Sequence, residues 1–299
     1  MKFVLIGSVI SSQCALEIMI QKKLNISMVF SLDESCSDNV STYRPIHKIA
    51  EENGIPFTKF KKINDEENLK ILREIEPDYI FVIGLSQLVR QELLDCAQKG
   101  VIGYHPAPLP KFRGRAAIVW QILLGMKKSA ASLFFIDEGT DSGDIICQEE
   151  FVINETDYAE DVLESAKDAG LRALSKGIDL LLTPGFAPTP QNHEEATYLL
   201  RRAPEDGAID WSQSGRDIQR FIRAVSRPYP GAFSNYEDKG KVVFWRADFI
   251  PTDKYYGFNG QIIENTDEYI DILCKDGKLR VTEYEASNDF KLIAGHRFV

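Results

Sequence analysis

Apolar and polar positions follow two rhythms along the first part of the chain. Short unbroken apolar runs, "KFVLIG" ending at Gly7, "ISMVFSL", "IPFTKF", "DYIFVIG" and "VIGYH", predict buried strands. Between them "CALEIMIQKK", "PIHKIAEENG" closed by Gly54, "DEENLKILREIEP" stopped by Pro77 and "QELLDCAQKG" carry helical spacing. Strands alternating with helices of about ten residues predict an α/β fold, a doubly wound and mostly parallel sheet. No Gly-x-Gly-x-x-Gly follows the first strand, which argues against dinucleotide binding.

After a proline-rich loop, "AAIVWQILLG" has helical spacing, and "ASLFFIDEGTDSGDIICQEEFVI" predicts two strands joined by an acidic, glycine-containing loop. A long amphipathic helix, "DYAEDVLESAKDAGLRALSKGIDLLL", comes next. The stretch "TPGFAPTPQNHEEAT" then gathers Pro184, Gly185, Pro188 and Pro190, which is linker chemistry. The expected organisation is a first domain over 1–183, a linker over 184–196 and a second domain over 197–299. That second domain opens with one helix, "GRDIQRFIRAV". Short β-rich runs with Asp-Gly and Glu-Asn turns follow, and they predict a smaller barrel-like module.

Composition narrows the function classes. A net charge of −10 and a pI near 5.1 argue against a nucleic-acid binder, which neutralises phosphates with clustered cations. The pieces "FRGR", "LLRR" and "RFIRAVSR" still offer local cations for a small phosphorylated ligand. The five cysteines are odd in number and scattered without Cys-x-x-Cys spacing, so neither a disulfide framework nor a metal site is expected. No apolar run approaches the roughly 20 residues that span a bilayer. Ser11, Ser12 and Gln13 interrupt the N-terminal run where a cleavable leader would continue. The chain reads as cytoplasmic.

Chemistry concentrates around one histidine. His105 closes the strand "VIGYH", where open α/β sheets place ligands, and Pro106, Pro108 and Pro110 stiffen the loop behind it. Imidazole suits proton transfer near neutral pH. The loop "IDEGTDSGD" supplies Asp137, Glu138, Asp141 and Asp144 as candidate partners. A carboxylate beside an imidazole orients the ring and favours its protonated form. On residue types alone, a histidine bonded to a backbone carbonyl and a solvated acidic turn, or a hard-metal loop, explain the same features.

The stretches "YHPAPLPKFRGRAA" and "DEGTDSGDII" resemble the 10-formyltetrahydrofolate-dependent formyltransferases. "GAIDW", Gly207 to Trp211, and "RAVSRPYPGAF", Arg223 to Phe233, are similar to the linker and second domain of members that act on tRNA or sugars. The resemblance runs from about Met1 to Trp245. It implies that His105 is the catalytic histidine and Asp141 its carboxylate partner. Leu85, Ser86, Gln87, Arg115, Asp137, Glu138, Gly139 and Thr140 would line the site of the co-substrate 10-formyltetrahydrofolate, with no metal. Where the family carries asparagine two places before the histidine, this chain has Gly103, which lacks an amide to stabilise an oxyanion. Gln87, Ser86, Gln121 or a backbone N–H at Gly103 are the candidate substitutes.

"LLRRAPEDGAIDW" is most similar to the sugar-formylating members, so the expected acceptor is a UDP- or dTDP-linked 4-amino-4,6-dideoxy sugar destined for a surface glycan. Arg201, Arg202 and Arg223 are candidates for its diphosphate. The alternatives are formylation of methionyl-tRNA, formate release by water, and a non-catalytic folate-binding or carrier-docking module marked by Gly103. A homodimer through the second domain fits an enzyme of this type, and no membrane is implied.

Overall fold

The computed structural model describes every residue except Asn39, Ser41, Ser86 and Asp289. In chain order the strands are β1 (Phe3–Gly7), β2 (Ile26–Leu32), β3 (Phe57–Phe60), β4 (Tyr79–Ile83), β5 (Gly100–His105), β6 (Arg113–Gly114), β7 (Lys128–Phe135), β8 (Ile145–Val152), β9 (Tyr198–Leu199), β10 (Ala232–Tyr236), β11 (Gly240–Pro251), β12 (Ile262–Asn265), β13 (Ile270–Cys274) and β14 (Gly277–Ala286). The helices are α1 (Ile10–Gln21), α2 (Ile46–Glu52), α3 (Glu66–Ile75), α4 (Gln91–Leu94), α5 (Ala117–Leu123), α6 (Ala159–Leu182) and α7 (Gly215–Val225).

The chain divides into two compact units. One comprises Met1–Gly114, Ser129–Phe151 and Ser165–Leu199, the other Arg115–Lys128, Val152–Glu164 and Leu200–Val299. In the first, a seven-stranded sheet has the order β3-β2-β1-β4-β5-β7-β8. The pairs β3/β2, β2/β1, β1/β4 and β4/β5 are parallel, and β5/β7 is antiparallel. Alternation along the strands builds a core on each face. Phe3, Leu5, Phe81 and Ile83 join the α1 residues Leu16 and Met19 on one side. Val4, Ile6, Ile80 and Val82 join Leu69 and Leu72 of α3 on the other. Burial on both faces explains why these strands read as continuous apolar runs.

Two helix limits differ from the sequence expectation. The first helix begins at Ile10, because Ser12 Oγ accepts from the Ser8 and Val9 amides and closes the turn early. The helix expected over "QELLDCAQKG" stops at Leu94. Gln98 and Lys99 donate their amides to the Pro77 and Asp78 carbonyls, drawing the backbone into the approach to β5.

The second unit carries an antiparallel sheet, β10-β11-β14-β13-β12. Phe298 bridges Tyr236 of β10, and Arg297 bridges Gln261 beside β12, so the C-terminal residues join the two edge strands. Trp211 packs against Phe244 and Phe298 inside it and donates Nε1–H to Ser234 Oγ at 3.0 Å. Asp271, fully buried in β13, is held by Arg280 at 2.9 Å and by Lys278, both on β14.

Candidate active site

β5 presents His105 at its end, 6% exposed and paired across the ladder with Ser132. Ser132 pins the loop that follows. Its hydroxyl donates to Ala107 O at 2.6 Å and accepts from Gln148 Nε2 at 2.8 Å, while Gln148 also donates to Leu109 O at 2.9 Å. His105 Nε2 lies 2.7 Å from Phe112 O, so that the ring is tied to the far end of the proline loop. Its Nδ1 lies 3.7 Å from Asp141 Oδ2, an ion-pair separation too long for a hydrogen bond. Phe112 O thus partners Nε2, and the Asp141 carboxylate stands beside Nδ1.

Asp141 takes a left-handed conformation, φ 49°, which aspartate tolerates better than most residues. Its Oδ2 accepts from Gly114 N at 2.7 Å. Gly114 itself has φ +110°, and a Cβ there would lie 2.4 Å from Leu199 O. The close approach of β6 and β9 therefore demands glycine.

The loop bearing Asp141 has a second anchor that sequence reasoning missed. Gln191 donates Nε2–H to Asp141 O at 3.0 Å and to Gly143 O at 2.6 Å. Its Oε1 accepts from Arg113 Nη2 at 2.7 Å and Nε at 3.2 Å. Arg113 is 1% exposed, and its remaining contacts, Tyr198 OH at 3.4 Å and His193 Nδ1 at 3.3 Å, are uncharged acceptors or an imidazole. Of the two arginines flanking Gly114, Arg113 is thus the buried one, and Arg115 is exposed. No spacing pointed to this clamp. Gln191 lies 78 residues from Arg113, inside the stretch read as a linker.

A side chain at position 103 would crowd its apolar neighbours, which would have to shift. A Cβ there would sit 2.9 Å from Ile136 Cγ1 and 3.2 Å from Phe134 Cζ, so apolar side chains occupy the space an asparagine would need. Among the candidate substitutes, Gln87 spends both ends of its amide on the β3–α3 loop, accepting from Ile63 N at 2.8 Å and donating to Lys61 O at 2.7 Å. Gln121 is fully buried on α5 in the second unit. Ser86 lies outside the described residues.

Leu85 and Gln87 are half-buried just beyond β4, the parallel neighbour of β5; Asp137, Glu138, Gly139 and Thr140 are exposed in the loop that carries Asp141. Asp137 Oδ1 accepts from Gly139 N at 3.0 Å and Ser142 Oγ at 2.6 Å, which shapes the start of that loop. Among the described residues, no group of three or more His, Cys, Asp or Glu side chains is placed to hold a metal ion.

Residues 1–178 match the family "Formyl transferase", and residues 202–294 match "Formyl transferase, C-terminal domain". The chain belongs to the formyltransferase family. A methionyl-tRNA formyltransferase of Clostridioides difficile (strain 630) is 31% identical over 252 residues, spanning 84% of this chain and 80% of that protein. Among solved structures, the N-formyltransferase from Helicobacter canadensis, complexed with folinic acid and dTDP-3-aminofucose, aligns with TM-score 0.72 at 21% identity, over 94% of this chain and 99% of that one. WlaRD, a sugar 3N-formyl transferase crystallised with dTDP and 5-N-formyl-THF, aligns with TM-score 0.68 at 20% identity, over 97% and 99%. The formyltransferase is therefore an enzyme with a Rossmann-like catalytic fold and an antiparallel C-terminal module. None of its five cysteines is in a disulfide, and burial pushes the Cys147 and Cys274 thiols up to about 11. No helix among the described residues is long and apolar enough to cross a membrane.

Proposed function

We propose that this formyltransferase moves a formyl group from 10-formyltetrahydrofolate to the amine of a nucleotide-linked amino-dideoxy sugar, with His105 and Asp141 as its catalytic pair. The observation that carries the reading is the flanking of His105 by Phe112 O at 2.7 Å and Asp141 Oδ2 at 3.7 Å. The folate supplies an activated formyl group. Phe112 O fixes Nε2, which leaves Nδ1 as the working nitrogen. From there the protonated ring donates a hydrogen bond to the formyl oxygen as charge develops on it, Asp141 accepts the proton that the attacking amine sheds, and that proton passes to folate N10 as its bond to the formyl carbon breaks. Gly114 N and Gln191 hold Asp141 in place, so positioning contributes alongside proton transfer. Leu85, Ser86, Gln87, Arg115 and the stretch Asp137–Thr140 are assigned to the folate.

The net charge of −10 supports a small acceptor over tRNA. So does likeness of fold to two sugar N-formyltransferases along nearly their whole lengths. The 31% identity to a methionyl-tRNA formyltransferase favours a second reading, formylation of methionyl-tRNA. Incubation with 10-formyltetrahydrofolate and parallel panels of dTDP- and UDP-linked 3-amino and 4-amino sugars, beside methionyl-tRNA, separates the two. A mass gain of one formyl group on a sugar nucleotide supports the proposal; formylation of the tRNA alone replaces it with the second reading.

A further inference from the structure

The second unit contains a cavity of about 290 Å³ lined by cations from one helix face. Arg216, Arg220 and Arg223 stand at i, i+4 and i+7 along α7, which places them on one side, and Lys127 lines the same cavity. Glu155 is the one carboxylate among the lining residues, and it lies 3.9 Å from Lys127. Arg220 has Asp217 at 3.2 Å.

Arg223 is the unusual member, because it is 8% exposed yet has no carboxylate partner among the described residues. Its Nη1 donates to the Asp157 backbone carbonyl, and its Nε has no hydrogen-bond acceptor at all. The Asp157 carboxylate faces elsewhere, accepting from Asn154 N at 2.7 Å and from Asn154 Nδ2 at 3.1 and 3.2 Å. Burial, reinforced by the neighbouring Arg220 cation, presses the Arg223 guanidinium below the usual arginine range despite opposing acidic neighbours. A buried guanidinium with an orphaned N–H is unfavourable unless an anion completes it.

We propose that this cavity is an anion site for a phosphate or diphosphate group, in which Arg223 supplies the buried donor and Arg216, Arg220 and Lys127 the surrounding charge. Guanidinium groups bind such tetrahedral oxyanions through paired N–H donors, and a helix face carrying three of them gives the site its selectivity for multiply charged ligands. The lining residues all belong to the second unit, and the site rests on this cavity whichever amine is formylated.

The test is calorimetric titration of the full chain with inorganic phosphate, inorganic pyrophosphate and dTDP at fixed ionic strength, beside Arg223→Gln, Arg220→Gln and the exposed Arg216→Gln. Saturable binding of pyrophosphate is expected, weakened about tenfold in each variant by the loss of one charge-assisted contact. His105→Ala should leave that binding intact, so failure of the catalytic reading and failure of this one give different results. Tighter binding of dTDP than of pyrophosphate assigns the group to a nucleotide, and equal binding assigns it to a free phosphate; either result supports the site. No saturable binding, or binding unchanged in both Arg216→Gln and Arg220→Gln, would overturn it.

Discussion

At the scale of single residues, the site separates charge from position in a way that substitutions can resolve. Asp141→Asn keeps an oxygen for Gly114 N at its present 2.7 Å but removes the charge 3.7 Å from His105 Nδ1. Formyl transfer is therefore expected to drop by about 10²-fold, with thermal stability close to the parent, as read by folate absorbance and a melting curve. Gly103→Asn tests the missing asparagine from the other side. Ile136 and Phe134 already fill that space, so the variant should lose about 1–3 kcal/mol in urea unfolding and gain no rate. Gly103→Asn combined with Ile136→Ala should recover part of the stability. The histidine and the Arg-Gly pair were legible in the sequence because strand-end chemistry and a glycine turn leave local marks. Gly103 was legible only as a departure; the apolar side chains that take up its space come from another strand and its following loop.

At the scale of elements, what the sequence could not display was how a proline-rich connection contributes to the site. "TPGFAPTPQNHEEAT" looked like spacer, yet Thr189 bridges Ile145 and Gln191 clamps the backbone of Asp141 and Gly143 to a buried arginine. Turn residues mark where secondary structure stops, and they carry no information about a long-range contact that one amide makes. Gln191→Ala leaves Arg113 with its shortest acceptor gone, and about 2–3 kcal/mol of stability should go with it. Gln191→Glu offers Arg113 a carboxylate but turns an acceptor toward the Asp141 and Gly143 carbonyls, so it should restore stability in part while transfer stays depressed. In the second sheet, burial opposes ionisation of Asp271, but Arg280 and Lys278 outweigh it and hold its carboxyl below the ordinary range. A carboxylate depressed on folding stabilises above its unfolded value near 3.8 and loses that contribution as pH falls through the lower folded value. Melting temperature measured from pH 6 downward should therefore fall less steeply below about pH 4 in Asp271→Asn than in the parent, from a lower starting point.

At the scale of the whole molecule, net charge separates the two proposed acceptors through their response to salt. Binding to tRNA through many phosphates would make activity collapse by roughly 10³-fold or more between about 50 and 200 mM salt. A small diphosphate acceptor taken by a protein of net charge −10 should lose far less over that range. The alternating strand and helix pattern gave the layered sheet readily, since burial on both faces forces the apolar runs that mark it. The C-terminal segment gave no sign that it would join β10 to the start of β12, because bridges made by single residues need no repeating pattern. The most direct test of the central claim is the rate of formyl transfer to a dTDP-linked amino sugar in the parent and in His105→Ala, both verified as folded. Transfer in the parent with a loss of at least about 10²-fold in the variant is the expected result; equal rates in the two, or no transfer to any amino sugar by the parent, would contradict it.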